Sequence, residues 1–258
     1  MIDSNIAKPI YQLGRIAFVV ECDDAEFERA LVELLPRARG TPDQIHRIPV
    51  GPDFRALINS VLAYHSECIW IDAACLRSPQ GRTVLISGMS GSGKSTTAMA
   101  LALSHGWEVL AEDITLIDGT TDRIIKFASP FSLKSGTIDL LNSVIGRAPE
   151  AVVLGEWARI DCHRDDDYLK AAFDLTLHLE MDYGRMTQVP LNPSEYARLI
   201  LRCSNLARIE TAPEKLADYV SFGTCHRICG GTLAERLNLV LSLTSESRSL
   251  SIAGVATR

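Results

Sequence analysis

The sequence contains no run of about 18 consecutive apolar residues, so it offers no candidate for a membrane-spanning helix. Its start, MIDSNIAKPIYQLGR, lacks the basic-then-apolar order that is typical of a secretory signal. Basic residues are in the minority, since 26 lysines and arginines face 32 aspartates and glutamates and leave a net charge of −6. A dedicated nucleic-acid-binding protein normally carries a basic face. We therefore expect a cytoplasmic protein that binds neither membranes nor nucleic acid.

The sequence also lacks an internal repeat, a long low-complexity tract and a regular cysteine pattern. Its seven cysteines are odd in number and scattered, which indicates reduced thiols rather than a disulfide framework. Apolar residues make up 47% and charged residues 22%, as in an ordinary globular protein. With 258 residues, the chain can form one large domain, or a core domain with a small companion.

Strand and helix patterns alternate along the chain, which predicts an α/β fold. A strand at 15–21 and a helix at 23–36 begin a small N-terminal α+β segment, assigned to residues 1–66. Two apolar segments, one within 53–64 and one at 68–76, predict an antiparallel pair of strands. The main domain, 67–245, has predicted strands at 83–88, 108–113, 123–128 and 173–180, and predicted helices from Lys94 to Gly106 and at 193–203, 213–219 and 232–243. The polar tail, 246–258, is expected to be flexible.

A glycine-rich stretch between the strand at 83–88 and the following helix matches the Walker A pattern G-x-x-x-x-G-K-[ST]. Gly88, Gly93, Lys94 and Ser95 occupy its fixed positions. The glycines allow backbone N–H groups to converge on phosphate oxygens, and the helix directs its positive end toward them. Lys94 is expected to reach the β- and γ-phosphates, and the Ser95 hydroxyl to bind Mg²⁺. The stretch predicts ATP binding by these residues together with Ser90, Gly91, Ser92 and Thr96.

Two acids follow at the end of the next predicted strand. Glu112 and Asp113 close the segment EVLAED, which completes a strand, loop, helix and strand order typical of a βαβ unit. Ligands of parallel sheets bind beyond the carboxyl ends of the strands. An acid at this position could hold Mg²⁺ or accept a proton from an attacking hydroxyl, or it could simply begin a solvated turn.

These motifs carry a resemblance to a known family. The stretch LISGMSGSGKSTTAMALALSHGWEVLAEDITLID resembles the catalytic domain of bacterial HPr kinase/phosphorylase and of its shorter HPr-kinase-like relatives. The family has a Walker A turn and helix followed by a strand that ends in paired acids, and Asp113 matches the second of them, its proton acceptor. The resemblance implies a serine kinase whose P-loop core is related to phosphoenolpyruvate carboxykinase. Glu112 matches the first acid, and both acids are candidate metal ligands.

The resemblance covers about residues 70–140 and extends in part to 186. Asp72 stands where the family has a histidine that helps the catalytic acid. In the segment SPFSLKSGTIDLL, Ser132 stands where the family has a Mg²⁺-binding glutamate, and Lys134 stands at its basic position. Arg185 matches a family arginine that would contact phosphate. These departures place the reverse, phosphorylase reaction and the HPr substrate in question, while Lys94, Ser95 and Asp113 preserve the forward transfer.

The expected function is a Mg²⁺-ATP-dependent serine kinase acting on a peptide or protein. In length and in the segment FSLKSGTID the chain is similar to lasso-peptide precursor kinases, which phosphorylate a C-terminal serine. The alternatives are a nucleotide-dependent switch or ATPase, a small-molecule kinase and a peptide-binding protein without activity. Because HPr kinases form hexamers, the resemblance also raises the possibility of a homo-oligomer. The motif HRDDD at 163–167 lacks the asparagine of a protein-kinase catalytic loop, and we interpret it as a solvated loop.

Overall fold

The computed structural model describes residues 8–38, 41–149, 152–153, 156–160, 169–182, 184–209 and 212–246. Within these ranges the chain is a mixed α/β protein with three sheets and seven α-helices. No helix of the described ranges is long and apolar enough to cross a membrane. The loop predicted at 163–167 and residues 247–258 of the predicted tail lie outside the described residues.

The N-terminal segment forms a three-stranded sheet with two helices. Its elements are β1 (Tyr11–Leu13), β2 (Ile16–Glu21), α1 (Ala25–Leu34), β3 (Ile45–Pro49) and α2 (Phe54–Ala63). Strands β1 and β2 are antiparallel, and β3 pairs with β2 in parallel after the α1 crossover. The side chain of Asp24 caps α1 by accepting a hydrogen bond from Phe27 N at 2.8 Å, which agrees with the predicted start of this helix.

The prediction of a strand within 53–64 was wrong, because this segment is helix α2. The side chain of Asp53 accepts hydrogen bonds from the backbone N–H groups of Arg55 and Ala56 and so caps the helix. The buried residues Phe54, Leu57 and Val61 recur at spacings of three and four, which is the period of a helix face. A capping aspartate outweighs the apolar character that suggested a strand.

The main domain is built on a nine-stranded sheet in the order β12-β8-β7-β4-β5-β13-β15-β14, with β6 paired to β4. A smaller sheet contains β9, β10 and β11. The strands are β4 (Cys68–Arg77), β5 (Thr83–Gly88), β6 (Glu108–Ala111), β7 (Ile114–Asp118), β8 (Arg123–Ile125), β9 (Phe131–Ser132), β10 (Val152–Val153), β11 (Trp157–Ala158), β12 (Leu169–Lys170), β13 (Leu175–Glu180), β14 (Thr187–Pro190) and β15 (Thr224–Cys229).

Helices cover both faces of the large sheet. They are α3 (Lys94–His105), α4 (Thr137–Ile145), α5 (Pro193–Arg202), α6 (Ala212–Phe222) and α7 (Leu233–Glu246). Strand β5 shows how the two layers form, because successive side chains of a strand point to opposite faces. Val84 and Ile86 pack in one apolar cluster with α3, α4 and α7, whereas Leu85 packs in another with α5 and α6. All three residues are fully buried, which explains the continuous apolar run at this strand.

Strands β5 and β6 run in the same direction, as the βαβ pattern predicts, but they are not neighbours. Strand β4 lies between them and pairs antiparallel with both. The first half of β4 pairs with β7, where Asp72 is opposite Ile114, and its second half pairs with β6, where Cys75 is opposite Ala111. Strands β6 and β7 therefore form one line along β4 that is interrupted at residues 112–113.

The N-terminal segment and the main domain share a hydrophobic core. Leu57 and Val61 of α2 belong to the same buried cluster as Leu116 of β7, Ile125 of β8 and Phe127. This cluster places the start of α2 beside the sheet face on which α3 also packs. The predicted boundary near residue 66 thus falls between two secondary-structure elements that contribute to one core.

Candidate functional site

The loop at residues 88–95, here called the glycine loop, connects β5 to α3. Its glycines Gly88, Gly91 and Gly93 have φ angles of +145°, +91° and +95°. A Cβ on Gly88 would overlap the carbonyl oxygen of Leu179, so the loop requires glycine there for space as well as for conformation. Gly93 precedes α3 without a side-chain cap. The first N–H groups of α3 thus remain available to an external anion.

Lys94 is nearly buried, and its ammonium group joins the loop to two carboxylates. Its Nζ donates to the carbonyl oxygen of Gly88 at 2.8 Å and to Asp72 Oδ1 at 2.9 Å. Asp113 Oδ1 lies 3.6 Å from the same Nζ. The side chains of Asp72 and Asp113 are 55% and 60% exposed, so two solvent-exposed carboxylates flank the buried ammonium. We call the surroundings of Asp72, Lys94, Ser95, Glu112 and Asp113 the acidic crevice.

Glu112, which precedes Asp113 in the chain, is buried. The Ser95 hydroxyl donates to its Oε1 at 2.6 Å. Burial, and then repulsion from Asp113, raise the pKa of Glu112 to about 8, although Ser95, Lys94 and Arg55 act in the opposite direction. The carboxyl group therefore retains its proton near neutral pH unless another positive charge approaches it.

The oxygen donors of Ser95, Glu112 and Asp113 are of the kind that Mg²⁺ prefers. No group of three or more His, Cys, Asp or Glu side chains in the described ranges is arranged to hold a metal ion by itself. Protein sites for Mg²⁺ commonly use one or two carboxylates and take the remaining ligands from phosphates and water. The donor set at this position fits that kind of shared site.

Lys134 and Met181 approach the glycine loop from other parts of the chain. Lys134 Nζ donates to the Ser90 hydroxyl at 3.0 Å. Met181 Sδ would lie 2.9 Å from a Cβ on Gly91, which places this exposed side chain against the loop. The structure thus brings Lys134 to the loop, and the hydroxyl of Ser92 is buried there without a hydrogen-bond partner in the described residues.

Arg236 of α7 was not predicted from the sequence, although it contacts the glycine loop directly. Its Nη1 donates to the carbonyl oxygen of Ser92 at 2.6 Å. Its Nε and Nη2 donate to the carbonyl oxygen of Gly230 at 3.1 and 2.9 Å. No local motif marks this position, because the contact joins residues 144 positions apart in the chain.

Arg55 in the first turn of α2 is a second residue that the sequence did not reveal. Its side chain is exposed, and its positive charge lowers the pKa of Glu112. Phe54 and Leu57, on either side of it in the helix, are buried in one cluster with Leu116, and Ile114 packs against that cluster. The N-terminal segment therefore adds a positive charge that acts on Glu112, although it is the weakest of the influences on the pKa of that group.

Arg185, predicted as a phosphate contact, lies in the turn that packs against Gly230. Gly184, its neighbour, accepts a hydrogen bond from Gly231 N at 3.0 Å, and Arg185 lies near Glu235 at the start of α7. Two bonds from Thr232 lower the pKa of Glu235, and Arg185 contributes further. Arg185 thus lies on the Gly230 side of Arg236, whereas Asp72, Lys94, Ser95, Glu112 and Asp113 cluster at the crevice. Thr96 is half-buried in the first turn of α3.

Comparison with known proteins adds no relative to this description. No family model matches the chain. No curated protein is significantly similar to it. The similarity to HPr-kinase-like proteins therefore rests on the motif residues alone.

Proposed function

We propose that the protein is a Mg²⁺-ATP-dependent kinase that transfers the γ-phosphoryl group to the hydroxyl of a serine in a peptide or protein. One observation carries the proposal: Asp113 Oδ1 lies 3.6 Å from Lys94 Nζ on the open side of the glycine loop. The lysine of such a loop accompanies the terminal phosphates, so a carboxylate beside it adjoins the group to be transferred. The proposed core is a P-loop fold related to HPr kinase and phosphoenolpyruvate carboxykinase.

The glycine loop would hold ATP through its backbone. Free N–H groups at the start of α3 and the Lys94 ammonium would neutralise the β- and γ-phosphates, and Lys134 would add charge near Ser90. Ser95, Glu112 and Asp113 would hold Mg²⁺, which supplies charge neutralisation of the phosphate oxygens when bound. Burial and the charge of Asp113 raise the pKa of Glu112. A cation bound near Glu112 would stabilise the ionised carboxylate and so favour loss of its proton.

In the proposed reaction the acceptor oxygen forms a bond to the γ-phosphorus as the bond from that phosphorus to the bridging oxygen of ADP breaks. The acceptor proton passes to the carboxylate of Asp113, and ADP leaves. Asp72 holds Lys94 Nζ at 2.9 Å and so positions the ammonium beside the transferred group. The two carboxylates are more than half exposed, which leaves room for a polypeptide acceptor. Such transfer depends mainly on positioning and electrostatics.

The same exposure supports one alternative. Water can reach Asp113 as readily as a hydroxyl can, so a nucleotide-dependent ATPase or switch would use the same residues. The two functions differ in product. An ATPase releases inorganic phosphate at a rate that no acceptor peptide changes, whereas a kinase adds about 80 Da to the serine.

The Asp113→Asn variant tests the proposed function. We expect it to retain ATP binding when this is measured without Mg²⁺, since Asp113 is proposed to hold the metal and accepts no hydrogen bond from the glycine loop in the described structure. Phosphorylation of serine peptides, measured by mass spectrometry, should fall by about 100-fold or more. Asp43→Asn changes an exposed acid of the N-terminal segment and is the matched control. Undiminished peptide phosphorylation by Asp113→Asn would refute the proton-acceptor role.

A further inference from the structure

All hydrogen bonds that the Arg236 side chain makes to described residues go to neutral carbonyl groups. The acceptors are Ser92 O in the glycine loop and Gly230 O in the turn before α7. No carboxylate of the described residues lies within ion-pair distance of its guanidinium group. The side chain is half-buried, and burial lowers its pKa. An arginine that is partly desolvated without a counter-ion is an unusual arrangement, since buried charges are normally paired.

The bond to Ser92 O determines which way the next peptide group faces. In a trans peptide the C=O and N–H groups point in opposite directions. Because Arg236 draws the Ser92 carbonyl toward α7 at 2.6 Å, the N–H of Gly93 is directed to the opposite side of the loop. That N–H belongs to the group of donors that precede Lys94 and lack a side-chain cap.

Gly93 and Arg236 fit each other closely. A Cβ on Gly93 would lie 2.7 Å from Arg236 Nη1, so the arginine occupies the space that a side chain would take. The second glycine of the Walker A pattern is thus required here for its φ of +95° and for the approach of this guanidinium group. Arg236 therefore contributes to the conformation of the glycine loop through the bond to Ser92 O and the contact with Gly93.

We propose that Arg236 is a positioning residue of the nucleotide site, which turns the Ser92–Gly93 peptide so that its N–H faces the phosphates and leaves behind the loop a positive charge that no described carboxylate pairs. The inference rests on the proposed nucleotide binding and deepens it. It assigns to α7 a function in binding the diphosphate part of the nucleotide, which the Walker A pattern alone does not contain.

Arg236 also connects the glycine loop to the segment that carries Arg185. Gly230, the second acceptor of its guanidinium group, precedes Gly231, whose N–H donates to Gly184 O at 3.0 Å. A Cβ on Gly230 would lie 2.7 Å from Gly184 O and 3.0 Å from Arg185 O, so these turns are in close contact. Arg236 therefore bridges Ser92 to the turn that packs on residues 184–185.

The experiment compares ADP binding to the full-length wild type and to Arg236→Met, Arg236→Lys and the control Arg198→Met by isothermal titration calorimetry. Arg198 is exposed on α5 and leaves the glycine loop untouched. We expect Arg236→Met to raise the Kd for ADP by about tenfold or more, with a stoichiometry that stays near one. Arg236→Lys keeps the charge but not the fork of donors, and it should give an intermediate Kd. Arg198→Met should bind like the wild type.

The stoichiometry separates positioning from damage to the fold. Loss of folded protein lowers the fraction of binding sites at an unchanged Kd, whereas loss of peptide orientation raises the Kd at full stoichiometry. An unchanged Kd in Arg236→Met, or in Arg236→Lys should the Met variant fail to fold, would overturn the inference while leaving the proposed kinase intact. Absence of ADP binding by the wild type would instead refute the nucleotide site itself.

Discussion

At the scale of single residues, the site joins a buried acid to two open ones around one ammonium group. Glu112 is nearly inaccessible and bonded to Ser95, whereas Asp72 and Asp113 face solvent. Different surroundings suit adjacent acids for different tasks. The exposed carboxylate at 113 is available to an incoming acceptor, and the enclosed one at 112 is suited to respond to a cation.

Glu112 makes the stability of the ligand-free protein depend on pH. Its pKa is about 8 in the folded chain against an ordinary value of 4.5. Between these values the folded state binds more protons than the unfolded state, so the free energy of unfolding falls as pH rises. Glu112→Gln removes the titration and leaves an amide that can still accept from Ser95. We expect the variant to gain stability over the wild type by on the order of 3 kcal/mol between pH 5 and pH 8.

Urea unfolding curves at pH 5, 6, 7 and 8 measure this difference. Glu108→Gln, which alters an acid on the adjacent strand, is the control, although it also removes the ion pair with Lys126. A stability difference between Glu112→Gln and the wild type that stays constant across these pH values would contradict the assigned cause.

At the scale of elements, the strand, glycine loop and helix were predictable because each signal is local. The glycines, Lys94 and Gly106 mark the turn and both helix ends, and β5 and α3 begin and end where the sequence predicts. The paired acids were also predicted, although they lie in a break between β6 and β7 and not at a free strand end. That break depends on β4, which pairs with both strands and precedes them in the chain.

The residues that were missed depend on contacts between distant parts of the chain. The charge of Arg55 acts on Glu112 because α2 packs in one cluster with Leu116, and Arg236 contacts the glycine loop because α7 packs in one cluster with α3. Neither arginine has a neighbouring sequence that distinguishes it from other helical arginines. Arg185, which a family motif predicts as a phosphate contact, lies near Glu235 at the start of α7, and its contact with phosphate stays a prediction.

The glycine loop allows a test of close packing at the element scale. Gly88→Ala would introduce a Cβ that overlaps the Leu179 carbonyl oxygen, in addition to the strain of a positive φ. Gly106→Ala is the matched control, because Gly106 also has a positive φ but has nothing within 4 Å of an added Cβ. We expect a loss of about 1 kcal/mol for Gly106→Ala and a further loss of more than about 2 kcal/mol for Gly88→Ala. Equal losses of unfolding free energy in the two variants, measured by thermal or urea unfolding, would show that the β13 backbone at Leu179 moves to accommodate the added methyl group.

At the scale of the whole molecule, the shared core makes the N-terminal segment part of the folding unit. Leu57 is fully buried in the cluster that also contains Leu116 and Phe127. Leu57→Ala should therefore destabilise the entire chain by roughly 2–4 kcal/mol in one cooperative transition. Val32→Ala, at an exposed position of α1, should change stability by no more than about 0.5 kcal/mol. Two separate unfolding transitions in Leu57→Ala would instead indicate that the segment folds as an independent domain.

The break at residues 112–113 between β6 and β7 affects which parts of the proposed site can change in sequence without displacing the acids. Residues 112–113 lie between β6 and β7, and both of these strands pair with β4. The sheet therefore fixes the positions of the two acids in the proposed site. Met89 of the glycine loop, and Lys134 and Met181 that contact this loop, lie in connections between elements. In the proposed kinase, substitutions in those connections could therefore change which acceptor is bound while Asp113 keeps its position, so that related proteins with the same fold could act on different acceptors.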